Sequence, residues 1–437
     1  MELQNQKKLN KWVILLCFLA EWVVIALIEI YGVLPIYYPE KTFRFHFDGL
    51  GLAALLVYAY VLIAPRDLEK PSTWAYLLLV LALGVPSTVV GWVMDRNTIY
   101  TFIVFSFLAI VSAFLHIKTR APMVKITKAD RFLEVLFWVY VAASIYLFIK
   151  RGGIDSRAFD FSDIYELRAE DNIKGLDGYL KNWCVKVLFP FFFLYTYEKK
   201  RYFRTFLCLV LQMLLYLSFG EKTTLFSMGL VAGVYFVFRI KKPVILFLGF
   251  NVAVLTPLLI YLETGDYDWL SSLSRRFCHI PSAIGFNYYD FFSSGNPHLW
   301  LSETMIGRIF GIPSPYPRVF SYYISGGQGM ANTGVVADAY ANGGIYMCIM
   351  FAIVLGVVLI CYDNLVKKRK HVGVIVGIMG YSCINLMDNG LLTSLLTNGM
   401  LLTLLLACML PEQEENAALE KEEKKDRKPK VRLVFRR

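Results

Sequence analysis

The chain has 437 residues, of which 57% are hydrophobic, 16% aromatic and only 18% charged. Soluble domains carry about 45–50% apolar and about 25% charged residues, so this composition excludes an ordinary soluble globular protein. The formal net charge of +11 invites a nucleic-acid partner, but the basic residues are divided among alternate short loops, and that placement excludes one.

A helix that crosses a bilayer needs about 20 apolar residues, and backbone buried in lipid must satisfy its own hydrogen bonds. The length criterion predicts about twelve such helices, at residues 12–30, 48–64, 73–94, 99–117, 132–149, 183–197, 202–219, 224–238, 243–262, 335–361, 372–387 and 391–410. The first is too long for a signal peptide and lacks a small-residue cleavage site, so it reads as an uncleaved anchor. Basic residues fall in every second connection: Lys7, Lys8 and Lys11; Arg66 and Lys70; Lys118, Arg120, Lys125, Lys128 and Arg131; Lys199, Lys200, Arg201 and Arg204; Arg239, Lys241 and Lys242; Lys367 to Lys370. This is the positive-inside pattern. It predicts two cytoplasmic termini and places segments 150–182 and 264–333 outside. The predicted organisation is a membrane domain (1–263), a large external loop (264–334), a second membrane portion (335–410) and a charged cytoplasmic tail (411–437). That tail reads as disordered, with contact to anionic lipid head groups as its plainest role. Of eight cysteines, only Cys184 and Cys278 lie near the outer side, so no disulfide framework is implied.

The external segments hold the chemistry. In 150–182, Arg157, Tyr165 and Arg168 stand out from a run of interleaved acids and bases, Asp155, Asp160, Asp163, Glu166, Glu170, Asp171 and Asp177, that otherwise reads as a solvated salt-bridged loop. Residues 163–168 have the pattern of a short amphipathic helix. The turn Gly220-Glu221-Lys222 offers one more cation. Residues 275–293 read as a helix with an apolar stripe of Phe277, Ile280, Ile284, Tyr288 and Phe291. A polar stripe of Arg276, Ala283, Asn287 and Asp290 runs beside it, flanked by Tyr288 and Tyr289. Arginine suits phosphate oxygens because its guanidinium is a rigid fork of donors; an internal ion pair or a lipid-phosphate anchor is the plainer role for Arg275 and Arg276. Residues 331–343 then run from Asn332 through Asp338, Tyr340 and Asn342 to Gly343, with Asp338 and Asn342 four apart on one helix face. An ionisable group in a membrane helix is costly enough to be a functional candidate, against the plainer reading of a charge favoured by the helix N-terminus. Asp95 and Asp388 sit in two further outer turns, Asp388 the better placed beside Asp338.

Asp266 and Asp268 have a spacing used to hold divalent metals, but two carboxylates are common by chance, and no histidine among the five has a second ligand nearby. No metal site, no cofactor and no phosphate-binding glycine loop are expected.

Taken with the topology, the segments Tyr165-Glu166-Leu167-Arg168, Gly220-Glu221-Lys222, Arg275/Arg276 with Tyr288-Tyr289-Asp290, and 331–343 resemble the O-antigen and capsule repeat-unit polymerases (Wzy-type oligosaccharide polymerases). The resemblance implies an all-α polytopic protein of the membrane-embedded GT-C glycosyltransferase class in the bacterial inner membrane. Its expected activity is metal-independent transfer of a growing glycan from one undecaprenyl diphosphate to a lipid-linked repeat unit. Its partners would be those two glycan-linked lipids, membrane lipids and a chain-length-regulating co-polymerase. Chemistry then assigns provisional roles. Arg275, Arg276, Lys222, Arg168 and Arg157 would meet the departing diphosphate. Asp338 and Asp290 would orient or deprotonate the acceptor, with Glu303 and His279 behind them, and Arg276 would act in the chemical step. Tyr288, Tyr289, Asn332, Tyr340 and Asn342 would contact glycan. A lipid-linked oligosaccharide flippase, an O-antigen ligase and a membrane acyltransferase are the alternatives. A flippase would show inverted repeats, broken helices and midplane charges; only Glu21, Glu29 and Lys186 occupy span centres.

Overall fold

A computed structural model describes residues 8–117, 129–159, 164–170, 173–326, 331–367 and 369–412. Lys7, the basic loop Lys118 to Lys128, Asp160, Asp163, Asp171, Lys368, the tail beyond Glu412 and the side chain of Tyr165 lie outside the described residues.

The described residues are helical, with no strand and only two isolated bridges. Among the described residues, nine helices are long and apolar enough to cross a membrane: Lys11–Tyr37, Pro71–Val93, Thr98–Leu115, Ala129–Arg151, Tyr202–Phe219, Lys222–Ile240, Pro243–Thr264, Val335–Val366 and Leu391–Met409. The segments expected at 48–64, 183–197 and 372–387 are helical too, but Phe47–Ile63 and Val372–Asn385 are shorter, and the third forms within a helix that begins at Leu176 and carries Lys181 and Lys186. Val372–Asn385 manages with 14 residues because Gly373 to Ile384 are all buried in protein; a helix walled by other helices need not match the lipid. It packs against Pro71–Leu79 and Lys222–Ile240, the former also buried along its length. Helices at the periphery instead expose apolar side chains such as Leu16, Phe206 and Leu248, as lipid-facing surfaces do.

Among the described residues, four helices contain π-helical turns, at Glu29–Val33, Val80–Gly84, Cys184–Leu188 and Leu270–His279. A proline follows each at the same offset: Pro35, Pro86, Pro190 and Pro281. Proline lacks an N–H and its ring collides with the carbonyl four residues back. A wider turn with i→i+5 bonding moves that carbonyl away.

The Val335–Val366 helix is broken. Gly344 has φ 62° and ψ −146°, a conformation only glycine adopts readily, so residues 335–342 form a separate short piece. The carbonyls freed by the break are capped by the loop: the Leu299 amide donates to the Ala341 carbonyl at 2.9 Å, and His298 Nδ1 lies 3.3 Å from the same oxygen. Non-helical backbone at this depth is tolerated where protein covers it.

Candidate functional site

The short piece 335–342 is fixed at its start by the connection after Val372–Asn385. The Val335 amide donates to the Leu386 carbonyl at 2.8 Å. Further along, the Asp338 carboxylate lies against Gly390 so closely that a Cβ there would sit 2.2 Å from Oδ2. Asn342 Nδ2 donates to the Asp338 carbonyl at 2.8 Å and to its Oδ1 at 3.2 Å, while Asn342 Oδ1 accepts from the Leu301 amide at 2.8 Å. Asn342 therefore orients the carboxylate and ties it to the loop. Tyr288 is buried, and its hydroxyl is 2.7 Å from Thr333 Oγ1. Glu303 faces Asp338 and Tyr288, its Oε1 accepting from the Phe320 amide at 2.6 Å. Burial pushes the Glu303 carboxyl up, partly offset by that amide.

Beyond Gly390 the charges change sign. Asp388 is faced by Arg276 of the π-helix Leu270–His279 and by Lys186 of the π turn Cys184–Leu188. Burial lifts the Asp388 carboxyl to about 6, against the pull of Arg276 and then Lys186. Lys186 Nζ donates to Asn398 Oδ1 at 2.8 Å, and Lys181 Nζ pairs with Glu221 Oε1 at 2.9 Å. Burial pushes the Glu221 carboxyl up; Lys181 and Lys186 more than reverse this, with Arg168 adding to them, and leave it below the usual carboxylate range. Several buried polar atoms around this group have no hydrogen-bond partner: Asp388 Oδ1, Asn385 Nδ2, Ser394 Oγ and Asn398 Nδ2. Such orphans are rare in a protein interior and require an explanation. Donors beside a cationic group would be satisfied by an anionic ligand with several oxygens.

The expected site residues divide accordingly. Asp338 and Arg276 converge on the 386–390 turn, Asn342 and Tyr288 stand behind Asp338, and Arg168 faces Glu221. Tyr289 is buried against the half-buried Tyr340, ring centroids 5.2 Å apart, so this pair packs the loop helix Ile280–Ser293 onto the broken helix. Asn332 is half-buried just before that helix starts, and Lys222 opens the helix after Glu221. Arg157 is engaged elsewhere, with Asp155 Oδ2 at 2.8 Å and Glu170 Oε2 at 2.7 Å.

Asp290 requires a correction. The sequence puts Arg276 and Asp290 on one stripe, but the π-helix alters the register before Ile280. Arg276 turns toward Asp388, and Arg96 takes its place, 3.2 Å from Asp290 and bonded to Asn287. Asp290 is thus paired with Arg96 at the exposed end of the loop helix. Arg275 stacks its guanidinium over the Tyr37 ring at 3.8 Å, its Nε buried without a partner. Asn385, Ser394 and Asn398 gave no signal in the sequence, Lys181 read only as one charge of the salt-bridged loop 150–182, and Lys186 carried a signal, as a cation at a span centre. The Asp268 amide donates to Asp266 Oδ1 at 2.9 Å and the Asp266 amide to Thr264 Oγ1 at 3.1 Å, and no three metal-ligating residues gather among the described residues.

No family model matches this chain, and no curated protein or solved structure matches it either.

Proposed function

We propose that the protein is a metal-independent membrane glycosyltransferase that polymerises undecaprenyl-diphosphate-linked repeat units into a surface polysaccharide. The observation that carries this reading is the 386–390 turn. On one side it holds a carboxylate, Asp338, oriented by Asn342; on the other it faces Arg276 and Lys186 beside unpartnered buried donors. Glycosyl transfer from a lipid diphosphate needs both halves. Negative charge grows on the departing diphosphate and is stabilised by donors placed in advance. The attacking hydroxyl needs a carboxylate to orient it or take its proton.

In this reading Arg276 and Lys186 hold the diphosphate, with Lys181 and Arg168 extending the positive field through Glu221. Asp338 serves the acceptor. Arg157 and Asp290, both committed to ion pairs, shape the rim, and Tyr288, Tyr340 and Asn342 position the loop over the acceptor. The apolar helices supply the membrane setting. With Phe47–Ile63, Val372–Asn385 and the helix through Lys186 counted as crossings, twelve spans put both termini in the cytoplasm and this site at the outer leaflet of an inner membrane, as the basic loops favour. The architecture then belongs with the GT-C class. Among other readings, a flippase is supported by the broken helix and by the span-centre charges Glu21, Glu29 and Lys186.

The test is reconstitution in vesicles with a lipid-linked repeat unit. A ladder of lengthening lipid-linked products supports the polymerase. Movement of intact lipid across the bilayer without new bonds, or transfer to a non-repeat acceptor, refutes it.

A further inference from the structure

The π-helix Leu270–His279 has a second face, away from Asp388, that the proposed reaction does not use. There His279 Nδ1 lies 2.8 Å from Glu29 Oε2, and His279 Nε2 lies 3.2 Å from the Tyr38 hydroxyl. His279 and Glu29 are 1% and 0% exposed, and Tyr38 is half-buried. Glu29 sits in the π turn Glu29–Val33, so two π segments meet through this pair. Two turns down the same helix, Glu21 is fully buried with neither carboxyl oxygen partnered, and Cys278 faces both glutamates. Below Glu21 the way is closed by Ile14 and by Phe18, which packs edge-on against Phe247 at 5.4 Å.

This geometry offers a route for protons. With Glu29 ionised, His279 donates Nδ1–H to the carboxylate and its Nε2 accepts from the Tyr38 phenol. One proton added at Nε2 makes an imidazolium paired with the carboxylate, and the phenol oxygen becomes the acceptor. The exchange needs only a half-turn of the Tyr38 O–H, and Tyr38 is the member of the set nearest solvent. An unpaired ionised carboxylate in such an interior is costly, so the imidazolium–carboxylate pair is the charged form this site accommodates. We propose that Glu29, His279 and Tyr38 form a proton-binding site that loads and empties through Tyr38 at the loop-bearing end of the bundle.

Its surroundings bias it. Tyr38 is faced by Arg275, Arg96 and Glu40 as well as Glu29, with Lys41 5.8 Å from its ring. Glu21, Cys17 and Cys278 lie below, Arg276 is on the opposite face, and the packed Pro243–Thr264 helix brings Tyr261 and the exposed Glu263. Because His279 is about one π turn from Arg275, each proton bound adds a positive charge to the segment that carries both arginines. Resting on the function proposed above, this predicts that the site tunes anion affinity.

The experiment is an infrared pH titration of the full chain in nanodiscs. The expected result is a linked imidazole and carboxylate signal that vanishes in both Glu29→Gln and His279→Gln. An unchanged titration in these variants overturns the proposal. Should either fail to fold, Tyr38→Phe decides: a displaced midpoint supports the site and an unmoved one overturns it. In a second arm, inorganic pyrophosphate binding is measured across pH in an Asp388→Asn background, so that Asp388 contributes nothing. The ligand's own titration is common to both proteins, so the ratio of affinities with His279 to that in His279→Gln should fall about tenfold with rising pH; a ratio that stays constant overturns the tuning. Absence of any pyrophosphate binding would count against the proposed function, while the infrared arm would still decide the proton site.

Discussion

Arg276→Ala is the substitution with the most to reveal. Arg276 faces Asp388 together with Lys186, so in the proposed complex two cations share the diphosphate. A hydrogen bond to a charged group contributes about 1.5–3 kcal/mol, and removing one donor from an oxyanion site costs about 10²–10³ in turnover. With Lys186 still present, a loss near the lower end is expected, about 100-fold in kcat. A second effect follows from the same geometry. Of the two charges that restrain Asp388, Arg276 is the larger, so its removal drives that buried carboxyl higher and neutralises it over a wider pH range. Arg276→Ala and Asp388→Asn should therefore be non-additive, by more than about 0.5 kcal/mol, as expected for groups in one network. The assay is initial rate and product ladder from a lipid-linked repeat unit in nanodiscs, with Arg239→Ala as a control, since that side chain is exposed and distant in the chain from the turn. Turnover within twofold of wild type, or strictly additive effects, would remove Arg276 from the site.

Asp338→Asn should lower kcat by about 100-fold or more, the scale of general acid–base assistance, with donor binding unchanged; a lost donor affinity instead would assign Asp338 to the diphosphate. Gly390→Ala would place a methyl 2.2 Å from Asp338 Oδ2, displacing the carboxylate, and should reduce activity and destabilise the fold by about 1–3 kcal/mol, read by thermal unfolding. Asp388 is neutral below about pH 6 and charged above it. Its charge then opposes the diphosphate, so the KM for donor should rise as pH increases through that value, and Asp388→Asn should flatten the profile. Activity should persist in EDTA; loss restored by Mg²⁺ or Mn²⁺ would contradict charge neutralisation by Arg276 and Lys186.

The membrane helices were legible because apolar length is a local property: the expected segments fall on helices, and only those short or polar, such as Val372–Asn385, depart from the length rule. Asp338 and Asn342 were legible for the same reason, as a four-residue spacing on one helix. The partnership of Asp338 with Gly390 was not, since it joins segments some fifty residues apart through a contact that no periodicity announces. The stripe joining Arg276 to Asp290 failed at a definite point. It assumed 3.6 residues per turn through Pro281, whereas the chain widens to a π-helix before that proline. The offset of Pro35, Pro86, Pro190 and Pro281 from their π turns suggests where such register shifts are to be expected. Arg96 could not have been assigned to Asp290 without that correction.

The interruption at Gly343–Gly344 decides from where the height of the Asp338 carboxylate is measured. Residues 335–342 are moored to Leu299, Leu301 and Leu386, while the helix that continues beneath them adds only the Cys348 thiol, 3.8 Å from the Val336 carbonyl. A thicker or thinner bilayer would tilt the lower segment and be absorbed at the two glycines. The carboxylate would keep its station beside Gly390, so its depth is set by protein rather than by lipid.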